Sequence, residues 1–482
     1  MGHSGQCRSV KPAQSNAPAC DAPSILLSCA RALVAFDDVQ RFRPPGWFFL
    51  DRMKLVQITP GAGGMYCGGC FRDNALVSAL RQAGHDALMV PLYLPLTLDE
   101  PDQSADTPIF FSGINVYLGQ KSALFRKLPG WMLKPFTSRW LLKLAGSRAA
   151  KTRASDVGEL MLSMLRGEEG NQARELDQLT GWLKQHHQPD AVCLSNALLA
   201  GMARQIKSEL KVPVVCLLSG EDAFLDGLPP EFRDDAWRTL AGRCRDVDLF
   251  IAPSRYFAEL MTRRLSLRPE QVCVVPNGIN LSGYSVPQLA PNPLVLGFFG
   301  RMCREKGLDT LVDAYVLVKQ REMAKDLRLH VGGGCGPTDE PFVEEQKRKL
   351  AKAGVLEDVS FFPNVDHSQK IAFYHGLFLF STPALFGEAF GLYLLEAMAA
   401  GVPVIQPRHA AFPEIVEATG AGVLCEPGDV KSLADAIENL LQHPLHARHL
   451  GRRGRAAVEK DFTIERMAEQ FAQAVSGLKA QR

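Results

Sequence analysis

The chain has 482 residues, enough for two domains with full cores and extensions besides. At 46% hydrophobic and 22% charged residues, with a net charge of +2, its composition is that of a soluble globular protein, and the near-neutral balance argues against nucleic acid as a partner. No apolar run approaches the roughly 20 residues that span a bilayer, and the short apolar stretch 24–30 follows a long polar leader, so no secretory signal is read. Twelve cysteines without framework spacing read as reduced, mostly buried thiols of a cytosolic protein.

Residues 1–52 are rich in Ser, Pro, Ala and Cys and lack periodicity, so they are expected to be a disordered leader or sequence upstream of a true start at Met53. A strand over 53–60, a Gly-rich loop over 60–70 that includes Gly63 and Gly64, a helix over 73–83 stopped by Gly84 and a strand over 88–92 make a βαβ start, which predicts a parallel sheet. The loop does not match G-x-G-x-x-G, so it carries no dinucleotide fingerprint. Within it, Cys67 and Cys70 are spaced for redox chemistry at a helix start, but no second pair completes a zinc site, and small residues lining a tight loop are the preferred reading. Residues 107–155 contain no Asp or Glu but carry Lys121, Arg126, Lys127, Lys134, Arg139, Lys143, Arg148, Lys151 and Arg153 among Phe125, Trp131, Phe136 and Trp140. This is either a solvated helical excursion or a lid for an anionic acceptor or anionic membrane surface.

A helix over 173–187, a strand over 190–195, a helix to about 210 and a strand over 212–218 follow. The last ends in Ser219-Gly220-Glu221-Asp222, whose carboxylates either bind sugar or acceptor hydroxyls or cap a loop. Ser254 caps a helix after the strand at 249–254, and the strand from 272 runs into the turn dipeptide Asn277-Gly278. Residues 287–293, with three prolines, are the candidate linker. Beyond it the pattern restarts: a strand from 294 ends in Gly300-Arg301, where parallel sheets bind ligands, and Lys306-Gly307 follows before a helix from about 309. An arginine and a lysine there neutralise a diphosphate. A strand over 327–331 ends in Gly332-Gly333-Gly334, a helix covers 342–353, and a strand over 359–362 leads to Pro363-Asn364-Val365. Further strands are expected at 377–380, 402–405 and 422–425, with helices to 415, over 430–441 and over 464–479.

Between the strands at 377–380 and 402–405 lies the stretch from Gly387 to Gly401. A loop carrying Glu388 leads into a helix that starts near Gly391 and carries Glu396. The helix start offers free N–H groups and the positive dipole end to a phosphate. Eight residues of helix rise about 12 Å, so the carboxylates can bracket a nucleotide sugar but cannot share a proton or a metal. The plain alternative is a strand-loop-helix unit with two surface glutamates.

This stretch resembles the E-x7-E motif of retaining glycosyltransferases of family 4, with Glu388 and Glu396 as its ends and Phe390-Gly391-Leu392 between them. Gly300-Arg301, Lys306-Gly307 and the sequence from Val275 to Ile279 are also similar to family patterns, and the resemblance extends over 54–478. It implies the α/β GT-B fold: two Rossmann-like, doubly wound parallel-sheet domains facing a cleft, with a C-terminal helix crossing back. The domains would be 53–286, for the acceptor, and 294–460, for the nucleotide sugar, joined by linker 287–293, with the crossover helix within 461–482. The resemblance assigns Arg301, Lys306 and the helix end at Gly391 to the leaving diphosphate, Glu396 to the ribose and Glu388 to the donor sugar. Gly300, Gly332, Gly333, Asn364, Val365, Phe390 and Leu392 would complete the donor site, and Gly63, Gly64, Glu221, Asp222 and Asn277 the acceptor side. Where the family often has a His-Gly pair this chain has Gly220-Glu221-Asp222, which departs from the pattern.

The expected activity is transfer of a sugar from a UDP, GDP or ADP sugar to an acceptor hydroxyl in glycan, glycolipid or polysaccharide synthesis. No cofactor and no metal are expected, because cationic side chains stand in for a divalent ion. The partners would be a nucleotide-sugar donor and a carbohydrate or lipid-linked acceptor, in the cytoplasm, with peripheral membrane contact through 107–155. A nucleotide-sugar epimerase, another enzyme of the same fold and a non-catalytic binding protein are the competing readings.

Overall fold

The structure, a computed structural model, describes residues 52–61, 68–112 and 154–480 apart from positions 95, 97, 99, 105, 106, 290, 322 and 323, together with Val116 and Gln120. The leader, Gly63, Gly64, Cys67 and nearly all of the basic segment therefore lie outside the described residues. Two parallel sheets organise the chain. The first contains β1 (Lys54–Thr59), β2 (Asp86–Pro91), β3 (Ala191–Leu194), β4 (Val214–Leu217), β5 (Leu249–Ala252) and β6 (Val272–Val274), in the order β2-β1-β3-β4-β5-β6. The second contains β7 (Val295–Phe299), β8 (Arg328–Gly333), β9 (Val359–Pro363), β10 (Leu379–Phe380), β11 (Val404–Pro407) and β12 (Gly422–Cys425), in the order β12-β11-β10-β7-β8-β9. The central strands are short Val-, Ile- and Leu-rich runs buried on both faces, as helix-covered parallel sheets require.

Each sheet reverses direction once, between β1 and β3 and between β7 and β10. Ligand crevices of open α/β sheets form at such switch points, beyond the carboxyl ends of the strands. In the second sheet the loop after β7 brings Gly300 and Arg301 to that point, and the loop after β10 brings Glu388.

The helix Ile464–Ala480 belongs by packing to the first sheet: Ile464, Met467, Phe471 and Val475 are buried in one cluster with Leu55, Leu76, Val77 and Leu80. Its entry runs beside Gly278. Ile279 N–H donates to Phe462 O at 3.0 Å and Ile464 N–H to Ile279 O at 3.0 Å. A Cβ on Gly278 would lie 2.2 Å from the Thr463 carbonyl oxygen, so only glycine admits this crossing.

Several predicted boundaries move. The first helix is Gly68–Gln82 and starts five residues earlier than 73, taking in two glycines that read as loop. The strand predicted at 402–405 is Val404–Pro407, because Pro403 has no N–H to give the ladder. Two carboxyl-terminal helices were not foreseen. His367–His375 opens with a complete capping box between Asp366 and Gln369, and Pro444–Asp461 fills the stretch between the helices expected over 430–441 and 464–479. The motif helix is Leu392–Ala399, so the stretch from Glu388 to Gly391 is loop and a rise of eight helical residues does not measure the gap between the glutamates.

Candidate functional site

The loop after β10 turns at Gly391, which caps the motif helix in the left-handed region at φ +95°. Glu388 stands four residues before the first helical residue and accepts on one oxygen, Oε2, from both Lys306 Nζ and Tyr393 Oη, the latter at 3.0 Å. Lys306 reaches it from the turn after β7, held in a 3-10 helix, Arg304–Lys306, that ends at Gly307. The same ammonium lies 5.9 Å from the centre of the Tyr393 ring. Burial, reinforced by the Glu388 carboxylate, pushes the Tyr393 hydroxyl well above its usual value, so it stays a proton donor.

Glu396, two turns along, has a matching pair of partners. Lys370 Nζ donates to Oε1 at 2.7 Å and Tyr374 Oη to Oε2 at 2.9 Å. Both partners come from the unforeseen helix His367–His375, one turn apart on one face. The Lys370 ammonium also lies 5.9 Å from the ring centre of Phe71, on the first helix of the other sheet.

Arg301 is half-extended into solvent and bound by Asp339, with Nε at 3.0 Å from Oδ1 and Nη2 at 2.8 Å. Asp339 occupies the position that would cap the helix Glu340–Lys352, but it spends its side chain on Arg301 and on Gly336 N–H instead. Asn364, at φ +53°, is fixed by its amide to Cys335 N and O at 3.0 and 2.8 Å. Its loop is thereby a rigid floor beside Gly333, whose carbonyl accepts from Asn364 N–H at 2.8 Å. Gly332 packs against Phe299, whereas Gly300 has room for a side chain. Phe390 is buried against Phe462 and Val365 packs on the same core, so both shape the site from below. Leu392 packs there as well, half-buried.

On the first-sheet side, the Glu221 carboxylate is taken up by backbone: Oε1 accepts from Ala197 N–H at 2.8 Å and Oε2 from Ser219 N–H at 3.0 Å. Burial pushes its pKa up while those bonds and Arg72 pull the other way. Arg72 and Asp73, both buried in the first helix, pair at 2.7 Å, and Asp73 also accepts from Thr59 Oγ1 at 2.8 Å. Asp222 differs from its neighbour. Its Oδ1 is buried with no hydrogen-bond partner among the described residues, and burial raises its pKa. Asn277 is buried beside the crossover. Cys70 is buried within the first helix. Among the described residues no group of three or more His, Cys, Asp or Glu is placed to hold a metal ion, and no helix is long and apolar enough to cross a membrane.

The sequence reading missed Asp339, Lys370, Tyr374 and Tyr393. The available signals were the D-x-x-Q capping box at 366–369, which marks a helix, and a tyrosine inside the motif itself.

Comparison with known proteins agrees with this architecture. A model of glycosyltransferase family 4 matches residues 157–282, and a model of glycosyl transferases group 1 matches residues 285–457. The chain belongs to the GT-B, family 4-type glycosyltransferases. A phosphatidyl-myo-inositol mannosyltransferase of Mycobacterium leprae is 33% identical over 196 residues, covering 39% of this chain and 50% of that protein. A lipopolysaccharide core biosynthesis mannosyltransferase of Rhizobium meliloti is 32% identical over 188 residues, covering 38% and 52%. The chain thus spans about half the length of the curated relatives it matches. Among solved structures, sucrose-phosphate synthase from Thermosynechococcus elongatus superposes with a TM-score of 0.64 at 19% identity, over 89% of this chain and 100% of that one. The Anabaena protein HepE, solved in complex with UDP and glucose, gives 0.61 at 17% identity, over 88% and 100%. These two likenesses concern the fold.

Proposed function

We propose that the chain transfers a sugar from a nucleoside-diphosphate sugar to a hydroxyl of a carbohydrate or lipid-linked acceptor, with retention of configuration and without a metal ion. The observation that carries this reading is the convergence of Lys306 and Tyr393 on Glu388 at the switch point of the second sheet, beside Arg301 and the N-terminus of the motif helix. A diphosphate seated there meets two cations and free N–H groups. These stabilise the negative charge that grows as the glycosidic bond breaks, the role a divalent ion plays elsewhere. Glu388, fixed by its two donors, orients the donor sugar through its hydroxyls, and Glu396 holds the ribose.

On the acceptor side the reading assigns Asp222, a half-buried carboxylate at the end of the loop after β4, to a sugar or acceptor hydroxyl, and leaves Glu221 as the brace of that loop. The acceptor hydroxyl attacks from the side the diphosphate leaves, the course that the family resemblance implies. Exposed Phe224 next to Asp222, and exposed Leu385 and Phe386 next to Glu388, suit an acceptor with apolar surface. Two relatives are named for transfer to phosphatidyl-myo-inositol and to lipopolysaccharide core, which favours a lipid-linked acceptor. The acid-free basic segment 107–155 would then rest on the anionic inner face of a membrane, placing the enzyme in the cytoplasm as a peripheral protein.

The test is a thermal-shift series on the full chain with UDP, GDP, ADP and their sugar conjugates, each with and without EDTA. One nucleoside diphosphate should raise the midpoint by mass action, unchanged by EDTA. Its sugar conjugate should then be turned over with a lipid or glycan acceptor. No shift with any of them in a folded sample overturns the donor-site reading, and turnover lost to EDTA and restored by magnesium overturns metal independence.

A further inference from the structure

The helix His367–His375 follows directly from the loop that holds Asn364, and it delivers Lys370 and Tyr374 to the two oxygens of Glu396. Lys370 and Glu396 side chains are only 7% and 13% exposed, so this is an ion pair largely withdrawn from water. A carboxylate so placed takes its orientation from its partners. It has about four lone-pair sites, and two are taken by Lys370 and Tyr374. Two remain, the number that a pair of vicinal hydroxyls needs.

We infer that Lys370 is a positioning residue for the ribose of the donor: with Tyr374 it locks Glu396 so that the two free lone-pair sites face the 2′ and 3′ hydroxyls. The inference rests on the donor-site reading above and adds to it a residue outside the E-x7-E motif. The Phe71 ring lies beside the ammonium from the first sheet's helix, so the same lysine meets both halves of the molecule. Tyr374 is packed edge-on against Phe373, which is itself packed against Phe362 at the end of β9. The loop that carries Asn364 and the carboxylate are therefore held as one rigid piece.

The test is isothermal titration of the full chain with UDP, GDP and ADP, and then with the 2′,3′-dideoxy form of the tightest binder. The variants are Lys370→Met, Lys370→Arg and Tyr374→Phe. The wild-type chain should lose about ten- to a hundredfold in affinity when the hydroxyls are absent, the worth of hydrogen bonds to a charged group. Lys370→Met should bind the ribonucleotide as weakly as the dideoxy form, while its affinity for the dideoxy form stays within about twofold of wild type. Lys370→Arg should recover part of the discrimination. Tyr374→Phe keeps the packing and removes one hydroxyl, so it should lose part of it, and it carries the test if Lys370→Met does not fold. Equal weakening of both forms in these variants, or undiminished discrimination, overturns the role given to Lys370. If the wild-type chain itself binds both forms equally, the ribose role of Glu396 is wrong and the inference falls with it.

Discussion

Ser254 Oγ, at the start of the helix that follows β5 of the first sheet, donates a hydrogen bond of 2.7 Å to the carbonyl of Ala389, 135 residues later and adjacent to Glu388. The same oxygen accepts from Phe257 N–H at 3.1 Å and so caps the helix Arg255–Leu265. Glu414, from the second sheet's side, accepts from the first two N–H groups of that helix, Arg255 at 3.1 Å and Tyr256 at 3.2 Å. The helix start of one half is thus capped partly by the other half. Ser254→Ala should cost about 1–2 kcal/mol, the worth of an N-cap. Because it also releases the Glu388 loop, kcat/KM should fall more than Tm does, measured by calorimetry and by turnover on one sample.

Glu388→Gln keeps the shape of the loop but removes the charge that holds Lys306 and Tyr393. Turnover should drop about 10²–10³-fold, the scale of one lost transition-state contact. Affinity for the nucleoside diphosphate should change less than about threefold, because the sugar is absent from that ligand. Equal losses in binding and turnover would remove Glu388 from the sugar.

Arg301→Met separates phosphate from base recognition. Binding of the nucleoside diphosphate should weaken about 10- to 100-fold, as expected for a charged hydrogen-bond pair. Binding of the bare nucleoside should not change. Asp339→Asn, which releases the guanidinium, should give the opposite sign and raise diphosphate affinity at low salt.

Asp222 gives a pH signature. Burial raises its folded-state pKa above the ordinary 3.8, so the folded state takes up the proton more readily than the unfolded chain. That advantage is complete below the ordinary value and is lost as pH rises through the raised one. Asp222→Asn should therefore match wild-type stability near pH 3 and exceed it near pH 7, by about 1 kcal/mol or less. If the residue binds the acceptor, the same change should lower turnover. A more stable and less active variant at neutral pH is the expected result of thermal unfolding scans across pH and an activity assay at pH 7.

The motif was legible because its chemistry is local. Gly391 and Gly401 punctuate a short helix, and the glutamates stand at fixed spacing around the first of them. The sheets were legible because buried parallel strands read as apolar runs. What fixes the carboxylates was not legible, since Lys306, Lys370 and Asp339 reach their partners across 82, 26 and 38 residues. The helix Pro444–Asp461 escaped for another reason. Its buried stripe is Ala447, Leu450, Gly451, Gly454 and Val458, helical in period but too small in side chain to show as an apolar pattern. Small residues are needed there: a Cβ on Gly451 would lie 2.0 Å from the Gly401 carbonyl oxygen, at the end of the motif helix.

The helix Ile464–Ala480 also bears on how the protein is made. The first sheet is synthesised before the second, yet part of its core, from Ile464 to Val475, is made only after every strand of the second sheet. Until then Leu55, Leu76, Val77 and Leu80 lack their cover, and the nascent first half carries an open apolar face through the synthesis of the entire second half. A chain halted near residue 460 would display that face permanently, and the quality-control machinery would meet a finished second sheet tethered to an unfinished first one.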